Sequence, residues 1–288
     1  MPHLIHVLIL AGIYSILCMS LNLLVGYTGL LSVAHAAFNG IGAYAVAILL
    51  TQAGWSFFPA LLIGVLLAML VALLMGLVLG KFKDDYYTIA TVGFGIIAVS
   101  VFRNWQSLTR GPLGILGIPR PEIFGFQFST NVSFLLLVTA FALLVYLACR
   151  KINNSSLGRV LKAVRDDEDA IKVFGYDTYY FKMFIFTISA GMAAISGGLL
   201  ASYLTFIDPG SFVLIEAITM VVAIILGGLA SLNGSVVGAA VLILLPEALR
   251  FVGLPSDIAA QMRQVLFGLA LILLMLYRPQ GLLGEYKL

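Results

Sequence analysis

Arg150-Lys-Ile-Asn-Asn-Ser155-Ser-Leu-Gly158-Arg159-Val-Leu-Lys162-Ala163-Val-Arg165-Asp-Asp167-Glu168-Asp-Ala170-Ile-Lys172-Val-Phe-Gly175-Tyr-Asp177-Thr-Tyr-Tyr-Phe-Lys182 is the one sizeable charged island in this chain. It holds seven of the 16 Lys and Arg and five of the 13 Asp and Glu. Around it the chain is apolar. Of 288 residues 61% are hydrophobic and only 10% charged, and the mean hydropathy is +1.09. A soluble domain carries roughly a quarter charged residues, so this chain cannot cover itself against water. The island is the piece built for water and for a soluble partner.

Working outward, apolar runs reach the ~20 residues that cross hydrocarbon. They are Leu4–Val25, Leu30–Leu50, Phe57–Leu79, Tyr86–Leu108, Val132–Cys149, Phe181–Ile207, Phe212–Ala230, Val236–Val252 and Ala259–Tyr277. The ~10-residue alternating segments of a membrane barrel are absent. The expected class is an all-α polytopic membrane protein with about eight to ten transmembrane helices. The first run has no basic flank and is too long for a signal core, so it reads as a retained span. Cys18 and Cys149 lie inside apolar runs and read as small hydrophobes. A net charge of +3 is too small to point to nucleic acid. Gly26-Tyr27-Thr28-Gly29 is expected to break the first helix. The following run holds Ser32, His35, Asn39, Gly40 and Gly42, and is the expected broken or re-entrant segment. Small residues within 189–198 and Gly227-Gly228 allow close helix packing.

Lys and Arg set the orientation. With the island cytoplasmic, counting in both directions puts the 109–130 loop and Asp208 outside. Lys81, Lys83 and the Arg278/Lys287 tail fall inside, and the N-terminus outside. Within the island, Ser155 or Ser156 suits a helix N-cap. Val160, Leu161, Val164 and Ile171 form an apolar stripe, and Gly175 suits a C-terminal stop. One amphipathic helix over 157–175 is expected, with Arg165 and Glu168 paired at i,i+3. It reads as a solvated loop or as a docking helix that transmits force from a cytoplasmic partner.

Gly158-Arg159-x-x-x-Ala163-x-Arg165-x-Asp167-Glu168-x-Ala170-x-x-x-x-Gly175 resembles the cytoplasmic loop of the LivM family, inner-membrane permeases of branched-chain amino acid ABC importers. Asn22-Leu-Leu-Val-Gly26-Tyr27-Thr28-Gly29-Leu-Leu-Ser32-x-x-His35-Ala36-Ala-Phe38-x-Gly40-x-Gly42-Ala-Tyr44 resembles its N-terminal signature. Leu226-Gly227-Gly228-Leu229-Ala-Ser231-x-x-Gly234-x-x-x-Gly238-Ala239 resembles a second signature. Leu245-Pro246-Glu247-x-Leu249-Arg250 and Tyr277-Arg278-Pro279-Gln280-Gly281-Leu282 resemble the C-terminal part. Two stretches depart from the family pattern. Phe94-Gly95 is followed by Ile96-Ile97-Ala98, where Glu and later Arg are frequent. The outer loop has Gly111-Pro112-Leu-Gly114, where adjacent glycines are usual.

The resemblance implies a single transmembrane permease domain over 1–288, with a coupling loop at 150–182 and a cytoplasmic coupling helix. It implies a LivH-like second permease subunit, two cytoplasmic ATPase subunits and a periplasmic or lipoprotein substrate-binding protein, in the bacterial inner membrane and in contact with lipid. Gly158, Arg159, Ala163, Arg165, Asp167, Glu168, Ala170 and Gly175 are the implied ATPase-coupling residues. The chain has no Gly-x-x-x-x-Gly-Lys-Ser/Thr loop, since Gly80-Lys81 is followed by Phe82. Energy is therefore expected from another chain or from an ion gradient, and no enzyme activity, cofactor or metal is expected. Asn22, Tyr27, Thr28, Ser32, His35 and Phe38 are expected to line the substrate route, because helix ends offer donors and acceptors to a zwitterion. The alternative is a glycine-rich helix packed tightly on its neighbours. Glu216, Glu247, Arg250 and Arg263 are the ionisable groups in spans, with His3 and His6 at a mobile terminus. A secondary transporter or channel is the competing reading, and it would want more intramembrane acids than these.

Overall fold

The computed structural model describes residues 2–80, 82, 84–123 and 126–251, with individual positions between 262 and 284. Helices dominate: α1 (Pro2–Thr28), α2 (His35–Thr51), α3 (Phe57–Leu79), α4 (Asp84–Asn104), α5 (Gln106–Thr109), α6 (Asn131–Asn154), α7 (Ser156–Asp166), α8 (Glu168–Val173), α9 (Thr178–Leu204), α10 (Leu214–Gly227) and α11 (Leu232–Phe251). Four two-residue strands lie between them: β1 (Ile115–Leu116), β2 (Glu122–Ile123), β3 (Phe126–Gln127) and β4 (Phe206–Ile207). Among the described residues, α1, α3, α4, α6 and α9 are long and apolar enough to cross a membrane. With α2, α10 and the apolar part of α11 as shorter helices, the chain is an all-α, multi-pass membrane protein. The expected last span falls largely outside the described residues, and Pro255, Arg263 and Arg278 wholly so.

α9 is the axis of the bundle, packed against α1, α2 and α3. Its small residues let α2 approach: a Cβ on Gly42 would lie 2.5 Å from the Ala194 Cα. Close backbone contact of this kind is what holds helices together where no water drives them.

The bundle has two distinct ends. α7 and α8 occupy the charged end, where the last turn of α1 and the start of α9 also lie. β1 pairs antiparallel with β4 at the other, the loop end, through Ile115↔Ile207 and Leu116↔Phe206. The Gln52 side chain donates to the Leu108 carbonyl there at 3.2 Å. The N-terminus of α1 is at the loop end too, since His6 Nδ1 lies 2.6 Å from the Tyr203 hydroxyl.

Two breaks differ from expectation. Gly26 and Tyr27 stay helical, and α1 ends only at Thr28. Gly29 turns the chain with φ +73°, a conformation glycine adopts without steric cost. The 30–50 run is non-helical only over 30–34 and then forms α2 without interruption. The more abrupt interruption is at 228–231. α10 has 14 residues, about 21 Å at 1.5 Å per residue, short of the ~30 Å hydrocarbon core. His3 and His6, expected at a mobile terminus, lie within α1, and His3 Nε2 is 2.9 Å from a Glu247 carboxylate oxygen.

Candidate functional site

The charged island folds as two helices, not one. Ser155 caps α7, its hydroxyl accepting from Gly158 N at 3.3 Å. The turn from α6 into α7 leaves no room at Gly158, where a Cβ would sit 2.4 Å from the carbonyls of Ile152 and Asn153. Asp167, expected mid-helix, is extended (φ −159°, ψ 100°), and its carboxylate caps α8 by accepting from Ala170 N at 2.9 Å. Asp favours such caps, and Glu168 and Asp169 in the first turn of α8 suit the positive end of its dipole. Asp177 caps α9 in the same way, accepting from Tyr179 N at 3.1 Å. Gly175, with φ +85°, closes the segment.

The expected Arg165–Glu168 pair gives way to two separate anchors. The Arg165 guanidinium donates to the Gly26 carbonyl at 2.8 Å and reaches Asp166 at 3.2 Å. A cation on the last carbonyls of α1 is favourable for the helix dipole. Beside it, the Lys162 ammonium lies 5.5 Å from the centre of the Tyr27 ring. Glu168 turns to α9 instead. Lys182 donates to both its oxygens at 3.0 and 3.2 Å, and the Thr178 hydroxyl donates at 2.9 Å. Lys172 pairs with the same carboxylate at 2.9 Å. Burial raises the Glu168 pKa, yet the hydrogen bonds from Lys172, Lys182 and Thr178 together outweigh it and hold the carboxyl below its ordinary value. α7 is thus fastened to α1, and α8 to α9. Leu161 and Val164 are buried beneath α7. Arg159 is exposed, Ala163 and Ala170 half-buried. At the end of α8, Val173 is 87% exposed and the next residue, Phe174, 78%. They put an adjacent pair of exposed apolar side chains on an otherwise charged surface.

The N-terminal signature assembles around the break between α10 and α11. Asn22 is wholly buried. Its amide donates to the carbonyls of Gly228 and Ser231 at 3.1 and 3.0 Å and lies 2.7 Å from Ser235 Oγ. Its Oδ1 accepts from Ala230 N at 3.0 Å. The Tyr27 hydroxyl donates to the Ala230 carbonyl at 2.9 Å. Ala230 itself has φ +59°, strained for a residue with a Cβ. Non-helical backbone at membrane depth needs such cover. From the far end of the chain, Leu282 N and Leu283 N donate to the carbonyls of Leu226 and Gly227, both at 2.9 Å. They satisfy acceptors that the end of α10 leaves open.

The remaining signature residues make local or apolar contacts. Thr28 donates to the Leu24 carbonyl, and the Ser32 hydroxyl accepts from Ala34 N. His35 is buried with no hydrogen bond of normal geometry to either ring nitrogen, the Ser20 backbone facing it. Phe38 packs against Phe94 and Phe186 at centroid distances of 5.3 and 5.4 Å. So Asn22 and Tyr27 meet at one site, while Thr28, Ser32, His35 and Phe38 do not join it. Among the described residues no group of His, Cys, Asp and Glu could hold a metal ion. Glu216 lies in the first turn of α10. The side chain of Arg250 is outside the described residues.

Sequence reasoning passed over Lys182, 3% exposed, whose signal was a lone cation at the mouth of an apolar run. It also passed over Ser231 and Ser235, spaced one turn apart and both bound to Asn22.

The family described as "branched-chain amino acid transport system / permease component" matches residues 3–275. The chain belongs to this permease family. The permease is 34% identical to the high-affinity branched-chain amino acid transport permease LivM of Escherichia coli K12, over 95% of its own length and 68% of the relative's. It is 26% identical to the probable LivM of Methanocaldococcus jannaschii, covering 97% and 92%. It is 25% identical to the permease LivH of Escherichia coli K12, covering 96% and 92%. No solved structure matches the permease significantly.

Proposed function

We propose that the chain is the membrane-spanning subunit of an ABC importer of the bacterial inner membrane, moving branched-chain amino acids or a related small polar solute. A LivH-like subunit would complete the pathway, two ATPase subunits would dock on α7 and α8, and a binding protein would deliver substrate at the loop end. The observation that carries this reading is the charged segment itself. It is tied to the bundle by Arg165 and Glu168, yet it presents Val173 and Phe174 to solvent. A surface held rigidly on its inner side and apolar on its outer side suits a soluble partner that pushes on it. The missing phosphate-binding loop agrees with an energy source on another chain. The positive-inside rule puts this end in the cytoplasm.

The test is reconstitution with co-expressed partners, followed by binding-protein-dependent ATP hydrolysis and uptake across aliphatic amino acids and amides. Stimulation by one of these substrates is expected. Uptake driven by an ion gradient, with no ATPase subunit bound, would instead establish a secondary transporter.

A further inference from the structure

Gly26-Tyr27-Thr28-Gly29, the last turn of α1 and the glycine after it, lies between α7 and the turn that joins α10 to α11. From one side α7 grips it. Arg165 donates to the Gly26 carbonyl at 2.8 Å, and the Lys162 ammonium stands 5.5 Å from the centre of the Tyr27 ring. A Cβ on Gly29 would sit 3.1 Å from the Arg165 Cγ, so the arginine stem passes close over the chain there. On the other side the same end of α1 holds Ala230. The Tyr27 hydroxyl donates to the Ala230 carbonyl at 2.9 Å, and Asn22 Oδ1 accepts from the Ala230 N–H at 3.0 Å. A Cβ on Gly26 would lie 2.5 Å from the Ala230 nitrogen. Gly26 thus stays helical and is small because Ala230 occupies the space beside it.

Ala230 is buried and left-handed, with φ +59°. A residue with a Cβ disfavours that conformation by a factor on the order of tenfold. Glycine would adopt it freely, so a turn that only had to be covered has no need of the strain. Strained residues persist where their surroundings over-determine them. Here both the N–H and the carbonyl of the strained residue are held from α1. Hydrogen bonds weaken steeply with misalignment, so a shift of about an ångström at the end of α1 loosens both together. Ala230 is then left in a conformation it disfavours, with less to keep it there. Two arrangements result, a clamped one and a released one.

We propose that this end of α1 is a relay from α7 to the α10–α11 turn, with Tyr27 as its positioning residue and Ala230 as the element that switches. The relay rests on the reading above that an ATPase docks on α7 and α8. Movement of α7 draws on the Gly26 carbonyl and the Tyr27 ring, the two hydrogen bonds to Ala230 part, and the α10–α11 turn is freed from α1 at the charged end. Return of α7 restores the clamp.

The experiment follows leucine uptake and ATP hydrolysis together, in liposomes holding the permease with its ATPases and binding protein. Hydrolysis stimulated by the binding protein in wild type establishes the docking on which the relay rests, and its absence would remove both. Neither Tyr27 nor Ala230 lies on α7 or α8, so the ATPase should co-purify with every variant as with wild type. Tyr27→Phe keeps the ring beside Lys162 and loses one hydrogen bond to Ala230. Hydrolysis without binding protein should rise about three- to tenfold, and uptake per ATP should fall. Ala230→Gly keeps both hydrogen bonds and loses the strain, which favours the clamped form. Hydrolysis and uptake should then slow together, on the order of tenfold. The two changes oppose each other, so the double variant should return toward wild type in both measurements. A turn that merely holds the fold would give a double variant no better than Tyr27→Phe alone, and that result overturns the proposal. So does wild-type hydrolysis and uptake in both single variants, or loss of the ATPase from either.

Discussion

Lys182 and Glu168 form an ion pair whose two members are unequally sheltered. The Lys182 side chain is 3% exposed and that of Glu168 19%, at 3.0 Å. Removing the acid strands a buried cation, whereas removing the cation leaves an acid still paired with Lys172. Breaking a buried pair by removing one partner typically costs about 3 kcal/mol or more when the other is left buried and uncompensated. Glu168→Ala is therefore expected to destabilise the segment more than Lys182→Met, read as protease sensitivity of α8. Equal effects would mean that the pair does not fasten α8 to α9.

The same pair gives a pH dependence of known sign. The Glu168 pKa is held below its unfolded value. Its contribution is then fully present above the unfolded value and is lost as pH falls through the folded one. Hydrogen exchange in α8 should rise on acidification below the ordinary glutamate range, and Glu168→Gln should flatten that rise.

Asn22→Ala removes one side chain and leaves the Gly228 carbonyl and the Ala230 N–H short of a partner, while the Ser231 carbonyl keeps the Ser235 N–H and hydroxyl. Buried groups left this way cost about 1–3 kcal/mol each. A lower unfolding temperature and poor yield are expected. Wild-type stability with abolished uptake would place Asn22 on the substrate route instead.

Val173→Ser with Phe174→Ser tests docking. Both side chains are exposed, so thermal stability of the membrane subunit should hold while co-purification of the ATPase falls. Full assembly and uptake with both changed would move the contact elsewhere.

Sidedness can be read directly. Leu113 at the loop end is 82% exposed. A cysteine there, with Cys18 and Cys149 changed to Ala, should react with an impermeant maleimide from outside the cell. Reaction only in inverted vesicles would reverse the topology.

What the sequence made legible was what depends on neighbours in the chain. Ser155 as a cap, Gly175 as a stop, Leu161 and Val164 as the buried stripe, and the apolar lengths of α1, α3, α6 and α9 all follow from local spacing. Asp167 misled because its helix-breaking preference was outweighed by an amphipathic pattern continuing through it. The partners of Arg165 and Glu168 were hidden for another reason. An i,i+3 spacing allows a pair, but Gly26 and Lys182 offered sites where the desolvated groups complete backbone and ion-pair bonds. Asn22 was recognised as special from its polarity in an apolar run, while its partners, some two hundred residues away, carry no signal in one sequence.

The two N–H groups of Leu282 and Leu283 bear on how the molecule is made. They complete the end of α10, yet they leave the ribosome long after α10 has entered the membrane. Until then the carbonyls of Leu226 and Gly227 must find temporary partners, and the hairpin with α11 is unfinished. Maturation of this region therefore runs backwards, its earliest part waiting on its latest. A nonsense change just before Gly281 would leave every long helix among the described residues intact and still strip the end of α10 of these two donors.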